Sequence, residues 1–173
     1  MTIRIEPRKT LALRLTPRII ALQLSREYRE PLQSPSCEPD DPRGMVIRSF
    51  HYKGKGRDEV IQVRAHAKAM VGLMKAMRRA PTIQITQSST NKYSGSYRSY
   101  AQQKLLYDEY KAGIGNLAAH PCSGYHRQGR AFDLYKKTSA EHAAMLAVRV
   151  DGLKFESGVG FGDPPHFTLG AYG

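Results

Sequence analysis

The sequence has no tryptophan and only two cysteines. Cys37 and Cys122 stand far apart and form no CxxC pair. That argues against a disulfide scaffold and leaves two isolated, reduced thiols as the expectation. Long apolar runs are also missing. The basic N-terminal stretch is broken by Arg4, Glu6, Arg8, Lys9 and Arg14, so it reads as neither a secretory signal nor a membrane span. A protein acting outside the cytoplasm would then need another route of delivery. No internal repeat is present, and no nucleic-acid-binding motif is recognisable. Acidic residues are in the minority, 15 against 27 lysines and arginines, for a net charge of +12. A surface this basic favours a polyanion, whether nucleic acid, an anionic membrane face or an anionic wall polymer.

What is present is ordinary for a folded chain. The 173 residues are 40% hydrophobic, enough for one domain with a core and an N-terminal appendage. Residues 3 to 24 alternate in short stretches, with Ile3 and Ile5 and then Leu11, Leu13 and Leu15, which predicts strands. Residues 31 to 44 hold four prolines and three acids and predict a linker. The boundary is placed there, giving an appendage over 1–44 and a main domain over 45–173. Val60, Val63, Ala67, Met70, Val71, Met74 and Met77 recur at helical spacing. They predict a helix over 58–79 with Asp58 as N-cap and the methionines in the core. A short strand over 82–87, a helix over 100–111, a strand over 131–135 and a helix over 139–149 capped by Ser139 and stopped by Gly152 follow. The tail from 153 is strand-like. Helices and strands do not alternate regularly, so the expected class is α+β.

Of six histidines, His51, His66, His120 and His142 have no notable company. His126 opens the run His126-Arg127-Gln128-Gly129-Arg130-Ala131-Phe132-Asp133. Histidine and aspartate both ligate zinc at about 2.0–2.2 Å. On a straight helix the seven-residue offset would separate the Cα atoms by about 10.5 Å, too far for one ion. A turn at Gly129 leading into a strand brings them together, and Phe132 and Leu134 then face away from Asp133. A third ligand is available in Asp163-Pro164-Pro165-His166-Phe167. A catalytic zinc keeps three protein ligands and one open position, and His126, Asp133 and His166 meet that count. The two prolines fix successive φ angles and bias Asp163 toward an extended shape, so Asp163 is placed to take a proton.

These segments resemble the zinc D-alanyl-D-alanine carboxypeptidases and L-alanyl-D-glutamate peptidases, a group that includes vancomycin-resistance carboxypeptidases and many phage endolysins. The first family motif, SxHxxGxAxD, matches at His126, Gly129, Ala131 and Asp133, with Gly124 in place of serine and Ser123 one position earlier. The second motif, an acid, two residues and His-Phe, matches at Asp163, His166 and Phe167, with Pro165 where an aromatic residue is usual. A third segment, Tyr97-Arg98-Ser99 followed by Gln103 and Leu106-Tyr107, is similar too. The resemblance covers roughly residues 82 to 170.

The resemblance implies a small mixed domain of the hedgehog and DD-peptidase type, with a central antiparallel sheet flanked by helices. It also implies a Zn2+ cofactor on His126, Asp133 and His166, and cleavage of a peptide bond in peptidoglycan stem peptides. Asp163 would serve as general base and Arg98 would stabilise the oxyanion. Ser99, Gln103 and Tyr125 would bind substrate. Anionic wall polymers are expected as partners, and nucleic acid, a membrane span and a stable oligomer are not. With no signal peptide, the expected setting is the cytoplasm of the producing cell, with action on the wall after release or within a phage particle. The alternative is a non-catalytic wall-binding or virion protein that keeps the fold.

Overall fold

The computed structural model describes residues 44–87 and 94–170. The strands expected over 3–24 and the linker expected over 31–43 lie outside the described residues.

Strands β1 (Met45–Gly54) and β2 (Arg57–His66) form an antiparallel hairpin, with Met45 opposite His66 and Gly54 opposite Arg57. Lys55 and Gly56 make its turn with positive φ at both positions, the conformation that matches strand twist. Helix α1 (Ala67–Arg79) follows. The helix predicted over 58–79 is therefore half correct. Ile61, Val63 and Ala65 are all buried and alternate along β2, a period of two that competes with the helical period over the same residues. Pairing with β1 decides the contest. The cap moves with the boundary: His66, not Asp58, accepts a hydrogen bond from the Lys68 N–H. Of the methionine stripe, Met70 is buried, Met77 packs against the core and Met74 is exposed.

After helix α2 (Tyr100–Lys111) come β3 (Ala131–Asp133), α3 (Ser139–Leu146), β4 (Arg149–Val150), β5 (Leu153–Ser157) and β6 (His166–Leu169). The four strands form one antiparallel sheet in the order β3-β6-β5-β4. Helix α1 packs against α3 and β4, and α3 against β5. At Gly72 a side chain would strike the Phe155 ring at 2.8 Å, so the bare backbone sets how closely α1 approaches the sheet. This is an α+β domain. The cap of α3 is Thr138, not Ser139, and it forms a capping box with Glu141. Gly152 turns β4 into β5 rather than ending the helix. The strand expected over 82–87 forms no ladder, and its residues pair only by single bridges, Ile85 with Leu134 and Gln87 with Ser94. Cys122 is disulfide-bonded rather than free, which corrects the expectation of isolated thiols. Separation along the chain is a weak guide here, because loop-closure entropy grows slowly with length. Cys37 lies outside the described residues.

The hairpin is tied to the rest of the core through Tyr52. Its hydroxyl oxygen accepts the Ile85 N–H at 3.0 Å. Burial pushes the Tyr52 hydroxyl up to about 12. Between pH 10 and 12 the unfolded chain loses this proton while the folded one keeps it, so stability is full below pH 10 and falls as pH rises through that window. The loss at the upper end is about 2–3 kcal/mol. Tyr52→Phe removes this pH dependence. At neutral pH it costs about 1–3 kcal/mol because the buried Ile85 N–H loses its acceptor. Denaturant titrations of both proteins from pH 8 to 12 check both effects.

Candidate metal centre

The β3–β6 register sets Asp133 directly opposite His166, with Phe132 opposite Phe167 in the adjacent pair. Alternation then puts both phenyl rings in the core, 0% exposed, and both polar side chains on the other face. His126 reaches the same point from the turn before β3. Gly129 adopts φ 65°, and its carbonyl accepts the His66 N–H at 2.9 Å. A Cβ at Gly129 would lie 2.6 Å from the Met45 thioether and 2.7 Å from the His66 backbone nitrogen. The thioether can move aside but the backbone cannot. Gly129→Ala is therefore expected to cost about 2–3 kcal/mol, from left-handed strain and overpacking together, and to displace His126. Thermal unfolding measures the first effect and metal stoichiometry the second.

Three donor atoms converge. His126 Nε2 lies 3.2 Å from Asp133 Oδ1 and 3.2 Å from His166 Nδ1, and His166 Nδ1 lies 2.9 Å from Asp133 Oδ1. Ligands held about 2.0–2.1 Å from a tetrahedral zinc ion sit roughly 3.3 Å from one another, so the triangle has the right size. Its chemistry fits as well. The His126 Nδ1–H donates to the Ser96 carbonyl at 2.6 Å. A carbonyl can only accept, so the inner Nε2 carries the lone pair. On the far side His166 Nε2 meets Thr168 Oγ1 at 2.8 Å. With that N–H donating to the hydroxyl, His166 Nδ1 presents a lone pair too. Three lone pairs facing one another form a site for a cation, with each imidazole oriented from behind as metal-ligating histidines usually are. Among the described residues this buried triad is the cluster that could hold a metal ion.

The electrostatics disfavour a charge on His126 and favour an ionised Asp133. Burial lowers the His126 pKa, with the Arg98 and His166 charges acting in the same direction and Asp133 opposing. Burial alone would raise Asp133, but His126, His166 and Arg98 together hold it well below the carboxylate range. Asp163 is raised, first by burial and then by the Asp133 charge. Its Oδ2 stands 3.9 Å from His166 Nδ1 and its side chain is 45% exposed, so it borders the triad without joining it. The Asp163 N–H donates to the Gly158 carbonyl and the Asp163 carbonyl accepts from the His166 N–H. Gly158 permits that fold, since a Cβ there would lie 2.5 Å from the Asp163 oxygen.

Arg98 is 7% exposed. Its guanidinium donates to Asp133 Oδ2, to the Ser94 carbonyl at 2.7 Å and to Gln103 Oε1 at 3.3 Å. Gln103 Nε2 in turn donates to the Ala119 carbonyl at 2.8 Å. Ser99 caps α2 in a capping box with Gln102, and its hydroxyl is used there. Tyr125 lines a cavity of about 310 Å³ together with Gln103, His126, Asp163 and His166. A second cavity of about 660 Å³, bordered by Arg98, Leu106, Ile114, Asp133 and Asp163, adjoins it, with Arg98, Leu117, Ala118 and Asp163 in both walls. The structure thus brings His126, Asp133, His166, Asp163, Arg98, Gln103 and Tyr125 together and leaves Ser99 at the helix end.

Several supporting residues escaped the sequence reading. Ser96 acts through its carbonyl, which no side-chain pattern reveals. Gly95 is wedged where a Cβ would lie 2.5 Å from the Thr86 oxygen and 2.9 Å from the Asp133 oxygen. Thr168 did carry a signal, because it lies two residues after His166 on a strand and therefore on the same face. Comparison with protein-family models, with curated proteins and with solved structures finds no match.

Proposed function

We propose that the chain is a zinc-dependent peptidase that hydrolyses a peptide bond in peptidoglycan stem peptides. The observation that carries the reading is the convergence of donor atoms from His126, Asp133 and His166, with the outer nitrogens of both imidazoles already engaged. The order of the His–Gly–Ala–Asp and Asp–Pro–Pro–His–Phe segments, which resembles the wall peptidases, supplies the substrate class. The charge of +12 suits an anionic wall.

A zinc ion held by the triad supplies Lewis-acid polarisation of a carbonyl oxygen and acidification of water. The remaining work falls to the protein. Asp163, at the rim of both cavities, takes the proton from the attacking water and returns it to the leaving amine. Arg98 fixes Asp133 and lines both cavities at the triad, so its charge acts on the ligand and on any oxyanion that forms there. Tyr125 and Gln103 shape the smaller cavity.

The test is incubation of the zinc-loaded protein with defined muropeptides, read by mass spectrometry with and without chelator. Chelator-sensitive release of a stem-peptide fragment supports the reading, and the fragment masses identify the bond. Retention of one equivalent of zinc with no cleavage would replace it with the wall-binding alternative.

A further inference from the structure

The two most exposed large apolar side chains among the described residues are Ile114 at 81% and Leu117 at 65%. They stand three residues apart in the segment 112–119, which carries no charged side chain. Both line the cavity of about 660 Å³ whose wall also includes Arg98, Asp133 and Asp163. Leu117 borders the smaller cavity as well, together with His126 and His166. An apolar residue exposed singly needs no explanation. Two on one uncharged loop, at the wall of a metal site, call for one.

The backbone holds this loop in place. Helix α2 is capped by Ala112, and Gly113 turns the chain at φ 73°. The Gly113 N–H donates to the Tyr110 carbonyl at 3.0 Å and the Ile114 N–H to the Glu109 carbonyl at 3.1 Å, the bond pair of a Schellman turn. The Gly115 N–H reaches the Glu109 carbonyl too, at 3.1 Å. A Cβ at Gly115 would lie 2.8 Å from the Glu109 Cβ. At the far end of the loop the Ala119 carbonyl accepts from Gln103, whose Oε1 receives the Arg98 guanidinium. In such a turn the residue after the glycine commonly packs an apolar side chain on the last turn of the helix. Here the positions it would cover are the acids Asp108 and Glu109, and Ile114 stays in solvent. The fold fixes where Ile114 stands and makes little use of its side chain.

We propose that Ile114 and Leu117 form a subsite for an uncharged aliphatic side chain of the substrate peptide, in the same cavity as Asp163 and Arg98. The proposal rests on the peptidase reading of the site. The substrate contacts implied by the family resemblance, Ser99, Gln103 and Tyr125, are all polar, and this one is not. A peptide side chain is favoured over a second copy of the protein because the two residues line a concave wall rather than a flat face.

The test uses acetylated penta-alanine probes in which one position, moved along the peptide, is leucine or the similarly shaped asparagine, each in L and D form. Calorimetry measures their binding to metal-free protein, and hydrolysis is measured separately on the zinc-loaded protein. The variant is Ile114→Ser with Leu117→Ser. Both side chains are exposed, so its unfolding temperature and zinc stoichiometry should match the wild type. The wild type is expected to bind the best-placed leucine probe about tenfold tighter than its asparagine partner, the weight of burying an aliphatic side chain. The preference should persist as salt is raised and vanish in the variant, while binding of the asparagine probe stays the same. Equal binding of both probes by the wild type, a preference that survives in the variant, or a variant that weakens both alike overturns the subsite. So does a dimer of the wild type, seen by sedimentation and lost in the variant, when no probe is discriminated. Discrimination in binding with no hydrolysis of any probe leaves the subsite standing and counts against the peptidase. Hydrolysis without discrimination does the reverse.

Discussion

Asp163→Asn is expected to keep one equivalent of zinc and lose about 10²–10⁴-fold in turnover, the usual contribution of a positioned general base. The argument is geometric. Asp163 Oδ2 stands 3.9 Å from His166 Nδ1, whereas the ligand atoms lie 2.9–3.2 Å from one another. The carboxylate is near enough to meet a water at the site but lies outside the triangle. Asparagine has the same size and keeps both backbone hydrogen bonds, from the Asp163 N–H to the Gly158 carbonyl and from the His166 N–H to the Asp163 carbonyl. What disappears is the ability to take a proton. Elemental analysis of the purified variant and a muropeptide turnover assay read the two effects separately. Near-normal turnover would remove Asp163 from the mechanism, and loss of zinc would make it a ligand.

The contrast between fold and site shows which signals a sequence carries. The convergence of His126, Asp133 and His166 was legible because each arrives from a short, well-marked segment. Gly129 supplies a turn, Asp133 follows four residues later at the end of a short strand, and His166 arrives with a rigid Pro-Pro lead. The class of fold was legible as well, from irregular alternation of elements. The β1–β2 hairpin was not. Residues 57–66 carry Val60, Ile61, Val63 and Ala65, a set that satisfies either a helix face or a strand face, and only pairing with β1 settles it. The exposed Val60 and buried Ile61 show the strand reading in hindsight. The supports of the site were hidden for a further reason. Ser96 and Gly129 contribute carbonyl oxygens, and Gly95 and Gly158 contribute the absence of a side chain. Residue type alone does not announce such roles.

Arg98 is the residue whose assignment gains most from the structure, and its substitution should have the widest effects. The family resemblance implies an arginine acting on the substrate oxyanion. The fold places its guanidinium on Asp133 Oδ2, behind a carboxylate that is 3% exposed. Arg98→Ala takes away one of the three positive influences that keep Asp133 ionised and leaves a buried charge without this partner. The expected cost to the metal-free protein is about 3–5 kcal/mol. Zinc affinity should fall about 10–100-fold, as when a ligand loses its outer support. Arg98→Lys keeps the charge but cannot reach Asp133, Ser94 and Gln103 at once, so it should recover only part of either loss. An arginine that acted on the oxyanion alone would behave differently. Its removal would leave unfolding temperature and zinc affinity untouched and lower turnover about 10²–10³-fold at saturating metal. Zinc titration against a chromophoric chelator, thermal unfolding without metal and turnover with metal in excess separate the two roles. A fall in all three places Arg98 in both, first as a positioning residue for Asp133 and then as a charge facing the substrate. A fall in turnover alone removes the positioning role.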